Sequence, residues 1–481
     1  MGEAEVMAES ATGQRTVPRH AGAILATVCL CQVMVVLDAS VVNIALPSID
    51  AALGFTPSAL PWVVNAYTLV FGGLLLLGGR IADLIGHRRA MLAGLVLFGV
   101  ASVLGGLAQG PGELIAARAG QGLAGAVLAP VSLTVIMVTF PEGPARNRAV
   151  GLWAMVAASG SAVGVLLGGL LTDLLDWRWV LFVNVPIVAV ALALASRFVH
   201  DTRQPHRGGL DVAGALLGTA AVTLLVYATV AAGDHGWGST GTIVALAVAV
   251  VCGAAFVWWE QRVAAAPLVR LGIFATRTVW VANVIVVFIG AATIAGFYFA
   301  SLFLQNVLHY SPLRAGAAFL PFCAGIMLGA IASSRLASRL GNRAVIAGGL
   351  VFGALGMFLF SRLDASSTFA SGFLLPSLVA STGIGLCMVA NTSMGTSGVA
   401  HHEAGLVSGL LNTSRQIGGS LGLAALATVA VAATQSSATD PAQVVVHGYD
   451  RAFLVTAALV LAAAIVAALF VPPNAKPADR P

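Results

Sequence analysis

Long apolar stretches, separated by short polar segments, run along almost the whole chain. A helix needs about 20 consecutive apolar residues to cross a bilayer, and the sequence offers fourteen such stretches. In chain order they lie at about 21–49, 58–79, 90–109, 112–140, 149–172, 179–199, 211–233, 240–259, 279–307, 312–334, 344–361, 370–398, 404–434 and 449–471. The pattern predicts an all-α polytopic membrane protein, whose helices are numbered here as spans 1 to 14.

The composition excludes several classes of protein. Of the 481 residues, 58% are hydrophobic and only 9% are charged, against about 25% charged in a soluble domain. A soluble enzyme, a disordered chain and a nucleic-acid-binding domain are therefore excluded. The single lysine, Lys476, lies in the C-terminal tail. A phosphate-binding loop of the Walker A type requires a lysine, so the spans contain no built-in ATP-driven motor.

The basic residues indicate which ends of the spans face the cytoplasm. With the N-terminus placed inside, 18 of the 24 basic residues fall in cytoplasmic segments and 4 fall outside. The other two, Arg118 and Arg415, lie within spans. Cytoplasmic segments of membrane proteins carry an excess of Lys and Arg. The sequence therefore predicts a multi-pass protein of the inner (plasma) membrane with both termini in the cytoplasm.

An internal repeat divides the chain into two similar halves. Gly79–Arg88 (GRIADLIGHR) aligns with Ser334–Arg343 (SRLASRLGNR) at an offset of 255 residues, and each segment joins two spans. Duplicated helical bundles are typical of secondary transporters, whose substrate site lies between the halves. We predict a 6+2+6 arrangement with the extra pair at the periphery: a cytoplasmic tail (1–20), a six-helix bundle (21–199), two extra helices with their linkers (200–278), a second six-helix bundle (279–471) and a second tail (472–481).

The loop between spans 2 and 3 carries a family signature. Its residues Gly79, Asp83, Gly86, Arg88 and Arg89 read G-x-x-x-D-x-x-G-x-R-R and resemble motif A of the major facilitator superfamily. Six further segments, in order, are similar to motifs of the fourteen-span drug/proton antiporters of that superfamily: Leu37–Ile49, Arg118–Gly122 (motif B), Gly160–Gly169 (motif C), Trp177–Pro186, Tyr310–Gly316 and Ser408–Gly419. The resemblance covers nearly the whole chain and implies the major facilitator fold and multidrug efflux.

Asp38 is the only acidic residue well inside a span. Carboxylates in hydrocarbon are costly, so they usually face the bundle interior, have a partner and carry function. At 1.5 Å per residue, Asp38 lies about 26 Å along span 1 and Arg118 about 9 Å along span 4. These depths are compatible because the two helices run in opposite directions, so we predict one network. The resemblance implies that this pair couples proton movement to transport; a structural ion pair that orders spans 1 and 4 is the alternative.

Motif C consists of Gly160, Gly164, Gly168 and Gly169 in span 5. Glycines four residues apart lie on one helical face and let two backbones approach closely. We predict a tight helix contact at the interface between the halves, and not substrate ligands. The antiporters have a proline directly after the second of these glycines, where this chain has Val165. A straighter helix is expected here.

The charges of motif A have two possible roles. Asp83 can accept hydrogen bonds from nearby arginines and from a helix N-terminus. The resemblance implies a conformational latch between spans 2–3 and span 11. Ser338 replaces the acid in the second repeat, so the latch is predicted on one side only. Loop solvation and membrane orientation are the alternative role of these charges.

Five polar residues within spans are candidate cavity positions: Asn43, Gln121, Asn391, Asn412 and Arg415. An amide inside a span is more often an interhelical hydrogen bond than a substrate contact. Arg415 has no acidic partner in the second half. It either bonds carbonyls and nearby amides or lines a cavity that accepts anionic or zwitterionic substrates. Span 10 contains no Asp or Glu, which disfavours dications as cargo.

These observations predict a transporter and not an enzyme, with no catalytic residues. The predicted activity is proton-coupled export of hydrophobic or amphiphilic drugs by alternating access. The expected partners are a small amphiphilic substrate, protons and the bilayer, without nucleic acid, metal or cofactor, and the chain is expected to be a monomer. An exporter dedicated to a single metabolite or lipid would have the same fold. A nutrient importer stays open, whereas a membrane-embedded transferase would need an acidic or His-rich loop that the chain lacks.

Overall fold

The computed structural model describes residues 20–200, 210–363, 367–400, 403–434 and 441–473. Within these ranges all regular structure is helical, and fourteen helical segments are long and apolar enough to cross a membrane. This confirms the prediction of fourteen spans. The orientation of the chain, with both termini inside, stays a prediction.

The spans have the following bounds, with breaks marked by a second helix in the same span. Spans 1 to 8 are Ala21–Leu53, Trp62–Ile85, His87–Gly106, Pro111–Thr139, Pro144–Leu174, Trp179–Phe182 with Asn184–Phe198, Val212–His235 and Thr240–Arg262. Spans 9 to 14 are Arg277–Leu302 with a π turn at Phe303–Val307, Pro312–Ala318 with Leu320–Leu340, Asn342–Phe360, Leu375–Ser397 after a π turn at Phe369–Leu374, Ala404–Thr434 and Pro441–Phe470. A 3₁₀ turn, Leu271–Ala275, precedes span 9.

The two six-helix bundles use the same packing scheme. In the first, span 2 packs on span 4, span 1 on span 5, and span 3 on span 4. Adding eight to each number gives the main contacts of the second: span 10 on span 12, span 9 on span 13, and span 11 on span 12. The repeat seen in the sequence is therefore a repeat of helix packing as well.

The tight connections that carry the sequence repeat also have matching geometry. Gly86 ends span 2 with φ +99°, and Gly341 ends span 10 with φ +84°, a region of backbone space that favours glycine. Two residues later, Arg88 Nη2 donates to the Ser196 carbonyl at 2.7 Å, and Arg343 Nη2 donates to the Ala468 carbonyl. Each arginine thus binds carbonyls near the C-terminal end of the last span of its own bundle, where a positive charge is favourable.

The extra pair, spans 7 and 8, packs against one side of the bundle. Span 7 contacts both span 2 and span 13, and span 8 contacts span 7. Leu69 of span 2, Val226 of span 7 and Ala424 of span 13 belong to one buried apolar cluster. Span 8 is largely exposed, with Val250 at 69%. The extra pair therefore covers the seam between spans 2 and 13 from the lipid side.

The two bundles meet along three further lines. Thr68 of span 2 and Ser420 of span 13 are hydrogen-bonded at 2.6 Å. Span 5 packs on span 10, and span 1 on span 9. At the end where span 1 terminates, Ser301 Oγ donates to the Asn43 carbonyl at 2.8 Å. The halves are in contact there.

Candidate functional site: a buried charged network

The side chain of Asp38 lies fully buried within the first bundle, with 0% of its surface exposed. Its Oδ2 accepts a hydrogen bond from Arg118 Nη1 of span 4. Its Oδ1 accepts from two amides, Gln121 Nε2 at 2.8 Å and Asn184 Nδ2 at 2.9 Å. The structure thus brings Asp38 and Arg118 together, as predicted from their depths, and gives the carboxylate three donors.

Arg118 is held as firmly as its partner. Besides Asp38, its Nη1 donates to Gln121 Oε1 at 2.7 Å, and its Nε donates to the Val63 carbonyl of span 2 at 3.1 Å. Its guanidinium carbon lies 4.6 Å from the centre of the Tyr67 ring, a favourable cation–π distance. Arg118 and Gln121 are three residues apart and therefore share one face of span 4.

The network extends through five of the six helices of the first bundle. Gln121 Nε2 also donates to Ser102 Oγ of span 3 at 2.9 Å, and Asn184 belongs to span 6. Ser102, Asn184 and the π face of Tyr67 were not predicted as members of this network. A lone serine or tyrosine within a span carries no spacing that identifies its partner, whereas the rarity of charge at this depth identified Asp38 and Arg118.

This arrangement surrounds the carboxylate with hydrogen-bond donors. All three groups that face Asp38 donate hydrogen bonds to it, so an added proton on Oδ2 would compete with the Arg118 donor. It would also leave the guanidinium buried without a countercharge, which is costly in a medium of low dielectric constant. The hydrogen bonds of Asp38 thereby tie spans 1, 4 and 6 together.

Span 1 connects this network to both neighbouring interfaces. Two and three residues after Asp38, Ser40 and Val41 pack against the motif C glycines of span 5. Further along, the Asn43 and Ile44 carbonyls accept hydrogen bonds from span 9. A shift of span 1 therefore changes the packing of span 5 and the contact between the halves together.

The motif C glycines make the close contacts predicted for them, but three of the four have a different partner. A Cβ on Gly160, Gly164 or Gly168 would meet Val36, Ser40 or Val41 of span 1, which belongs to the same bundle. Only Gly169 faces the other half, where a Cβ would meet the Pro312 carbonyl of span 10. The prediction of a contact between the halves is therefore wrong for Gly160, Gly164 and Gly168. These three share one face of span 5, and Gly169, the next residue in the helix, points to a different side.

Span 5 is continuous through Val165, the position where the antiporters have proline. The helix runs from Pro144 to Leu174, and Val165 is fully buried. Its carbonyl oxygen faces Gly316 of span 10, where a Cβ would collide with it. Val165 thus lies at the contact between the halves, next to Gly169.

The motif A residues lie around the tight connection described above. Asp83 Oδ1 contacts His87 Nε2 at 3.3 Å. Gly79 has room for a Cβ 3.6 Å from Pro130, so close packing does not require it to be glycine. Arg88 binds the end of span 6, and Arg89 is exposed. These contacts are within the first bundle.

The predicted latch partner, span 11, packs mainly on spans 10, 12 and 14. The main contact of span 2 with the second half is instead to span 13. Near the motif A end, a Cβ on Gly409 of span 13 would meet Leu76 of span 2 at 2.9 Å. The repeated packing scheme accounts for this contact. Span 13 is the counterpart of span 5, and each of the two packs on a helix of the other half, span 13 on span 2 and span 5 on span 10.

The remaining cavity candidates do not form a single site. Gln121 belongs to the Asp38 network, and Asn43 donates to the Ala39 carbonyl of its own helix at 2.8 Å. Asn391 donates to the Ala282 carbonyl at 3.0 Å. Arg415 Nη2 donates to Asn412 Oδ1 at 3.0 Å, and both side chains are partly exposed. The bond to a nearby amide is one of the two roles considered for Arg415.

Arg415 and Asn412 occupy a distinct face of span 13. On its other faces, Gly418 packs against Val287 of span 9 and Gln416 against Gly72 of span 2, while Thr428 bonds span 7. Asn412 and Arg415 lie opposite the side that span 7 covers. In the part of the chain that the structure describes, Arg415 has no carboxylate partner.

The family of the chain follows from comparison with known proteins. The sequence profile of the Major Facilitator Superfamily matches residues 28–423, a range that includes the whole Asp38 network. The chain belongs to the Major Facilitator Superfamily. Members of this superfamily are transporters, and with fourteen spans and exporters among its relatives this member is a multi-pass protein of the inner membrane.

Two relatives within the superfamily align with almost the full chain. The cephamycin export protein CmcT of Amycolatopsis lactamdurans is 42% identical over 464 residues, covering 96% of this chain and 95% of the relative. The puromycin resistance protein pur8 of Streptomyces alboniger is 39% identical over 485 residues, covering 99% of this chain and 96% of the relative.

Solved structures of superfamily members share the fold. The POT family transporter PepTSo superposes with a TM-score of 0.68 at 15% identity, covering 93% of this chain and 97% of the other. A bacterial homologue of the human lysosomal transporter Spinster, in an inward-facing and unoccupied conformation, gives 0.67 at 17% identity, covering 95% and 98%. At these identities the likeness shows the fold alone, and it is the fold that the motifs predicted.

Proposed function

We propose that this chain exports amphiphilic antibiotics and related drugs across the cytoplasmic membrane in exchange for protons, with Asp38 as the proton carrier. The observation that supports this most is the Asp38 network: a titratable group with no exposed surface, bonded to Arg118, Gln121 and Asn184. Intramembrane carboxylates of this kind mark proton relays. The cargo class rests on the relatives named for cephamycin export and puromycin resistance.

In the proposed cycle, protonation of Asp38 drives a change of conformation. The proton neutralises the carboxylate and leaves Arg118 without a countercharge, so the network of spans 1, 4 and 6 rearranges. Because span 1 also bears on the motif C glycines and on Ser301 of span 9, this rearrangement changes the contact between the halves. A proton can shift the equilibrium because its affinity differs between the two arrangements.

The predicted orientation places the contact between Asn43 and Ser301 in the outer half of the membrane. The halves are hydrogen-bonded there, and Gly169 and Gly316 pack across the neighbouring seam. This supports a state that is closed to the outside and receives cargo from the cytoplasm. Release of the Asp38 proton into the cytoplasm restores the ion pair and this closed state, and proton entry from outside accompanies drug release.

The test is proton movement in inverted membrane vesicles, followed with a pH-sensitive dye. Respiration sets the gradient, and a panel of lipophilic cations, neutral macrolides and anionic amphiphiles is then added. Wild type is expected to release protons on addition of at least one compound. Asp38→Asn is expected to show no compound-dependent release, because an amide cannot carry the proton.

Two control variants accompany the test. Asp234→Asn removes an exposed carboxylate at the far end of span 7 and is expected to behave as wild type, whereas Asp38→Glu keeps a titratable group. Proton release by Asp38→Asn at the wild-type level would remove Asp38 from the mechanism. Export of a radiolabelled drug by wild type without proton movement would overturn the antiport proposal.

A further inference from the structure

A second pair of buried carboxyls lies outside the Asp38 network. Asp211 precedes the first residue of span 7, and Glu260 lies in the last turn of span 8. The two carboxyls are within electrostatic range of each other. The indole of Trp259, next to Glu260, donates to Asp211 Oδ1 at 2.7 Å. The pair therefore lies where the extra helices meet at one end.

Both side chains are more than nine-tenths buried, and each leaves one oxygen without a partner. Asp211 is 7% exposed and Glu260 is 6% exposed. Asp211 Oδ1 accepts from the Gly214 amide at 2.8 Å, and Glu260 Oε2 accepts from the Val269 amide at 3.4 Å. Asp211 Oδ2 and Glu260 Oε1 are buried and unpartnered within the described residues. An unpartnered buried polar atom costs free energy.

Within the residues that the structure describes, no arginine side chain is bonded to either carboxyl of the pair. Arg262 of span 8 and Arg270 of the following linker are exposed, and Arg80 of span 2 donates to the Pro267 carbonyl at 3.4 Å. Among the residues that the structure describes, Asp211 is the charge that acts on Glu260. Two adjacent buried carboxyls without a cation cannot both ionise at low cost.

We propose that Asp211 and Glu260 form a second proton-binding site, in which one proton from water is shared between Asp211 Oδ2 and Glu260 Oε1. The shared proton gives each orphaned oxygen a hydrogen-bond partner and reduces the charge of the pair from two to one. A divalent cation would fit less well, because the groups already bonded to the pair are N–H donors. This proposal does not depend on Asp38 or on drug export.

The site is connected to motif A by the linker after span 8. Glu260 holds the Val269 amide, and Arg80 of motif A holds the Pro267 carbonyl two residues earlier. Loss of the shared proton would place two negative charges side by side, and their repulsion would loosen the linker. The occupancy of this site is thereby transmitted to the end of span 2.

Infrared difference spectroscopy of the full chain in lipid nanodiscs tests the proposal. An Asp38→Asn background removes the first site, and pH steps between about pH 5 and about pH 9 are followed by the carbonyl stretch of protonated carboxyls. We expect one carboxylic-acid band that persists at neutral pH. It should disappear in Glu260→Gln and in Asp211→Asn, and remain in Asp234→Asn.

Hydrogen exchange of the linker gives a second readout that does not rely on these substitutions folding equally well. After correction for the intrinsic pH dependence of amide exchange, the exchange rate of peptides covering residues 263–270 is expected to rise about tenfold on deprotonation of the pair, which corresponds to one pK unit. This additional rise is expected to be absent in Glu260→Gln. A background with no carboxylic-acid band at neutral pH would overturn the proposal. A band that appears only when a chelator is added would overturn it too, because a metal ion would then occupy the site.

Discussion

The two six-helix bundles share their tight connections and helix contacts but differ in their buried charged side chains. Both have a left-handed glycine at the tight connection, at Gly86 and Gly341, and both pack their first and fifth helices through glycines. Among the described residues, the first bundle holds a fully buried ion pair, Asp38 with Arg118. The charged residue within a span of the second bundle that sequence analysis singled out, Arg415, is bonded to a neutral amide. The comparison teaches that the packing scheme tolerates duplication, whereas the titratable chemistry belongs to one copy.

The largest expected effect comes from removing one member of the buried ion pair. Removing one member of a buried ion pair costs about 3–5 kcal/mol, so Asp38→Asn and Arg118→Gln should each lower the thermal unfolding midpoint strongly. The double variant removes both charges and should recover much of that stability. It should not recover proton-coupled export. Unfolding in detergent and dye-monitored vesicles measure the two properties.

The double variant distinguishes the two roles considered for the pair. A purely structural ion pair predicts that restored stability brings restored transport. Transport by the double variant at the wild-type rate would therefore assign Asp38 and Arg118 to helix ordering alone.

A smaller effect is expected at the glycine contacts, and it should be similar in both bundles. A Cβ on Gly168 would lie 2.8 Å from the Val41 carbonyl, and one on Gly422 would lie 2.6 Å from the Ala291 Cα. Backbone atoms cannot move aside, so Gly168→Ala and Gly422→Ala should each cost about 1–3 kcal/mol. Unfolding midpoints and membrane yield measure this.

Each bundle supplies a matched control for the glycine variants. Gly151 of span 5 and Gly405 of span 13 have open space around the position of a Cβ. Gly151→Ala and Gly405→Ala should be neutral or slightly stabilising, because alanine favours the helix over glycine. Equal loss of stability in controls and variants would show that close packing at these glycines does not set the cost.

The smallest effect is expected for the second bundle's arginine. Arg415 is a cation without a carboxylate partner in the described chain, so its removal leaves no buried charge unpaired. Arg415→Gln should leave the unfolding midpoint unchanged or raise it, in contrast to Arg118→Gln, and should preserve proton release in vesicles. Loss of proton release in Arg415→Gln would mean that the second bundle takes part in coupling, and the contrast between the bundles would fail.

Much of this architecture was predictable because few features determine it. The fourteen spans follow from hydrophobic length, and the meeting of Asp38 with Arg118 follows from the rarity of charge inside the membrane. Ser102 and Asn184 could not be assigned to that network beforehand, because the rotation of spans 3 and 6 decides which way they point. The rotation of span 5 likewise gives Gly168 and Gly169 different neighbours, although they are adjacent in sequence.

The Asp211–Glu260 pair shows a second limit of prediction. The two residues are 49 positions apart and lie at the ends of spans, where carboxylates are ordinary. Their burial depends on the linker after span 8 folding back so that the Val269 amide reaches Glu260. No hydrophobic periodicity in the sequence predicts that the linker folds back onto Glu260.

The position of the extra pair makes the two lateral faces of the protein unequal. Spans 7 and 8 cover the seam between spans 2 and 13. Within the part of the chain that the structure describes, no further helix covers the seam between spans 5 and 10, and Met155 and Met327 on those spans are 65% and 55% exposed. An amphiphile dissolved in the bilayer therefore meets spans 7 and 8 on one side of the protein and the exposed seam between spans 5 and 10 on the other. Any route into the protein from within the lipid leaflet is one-sided.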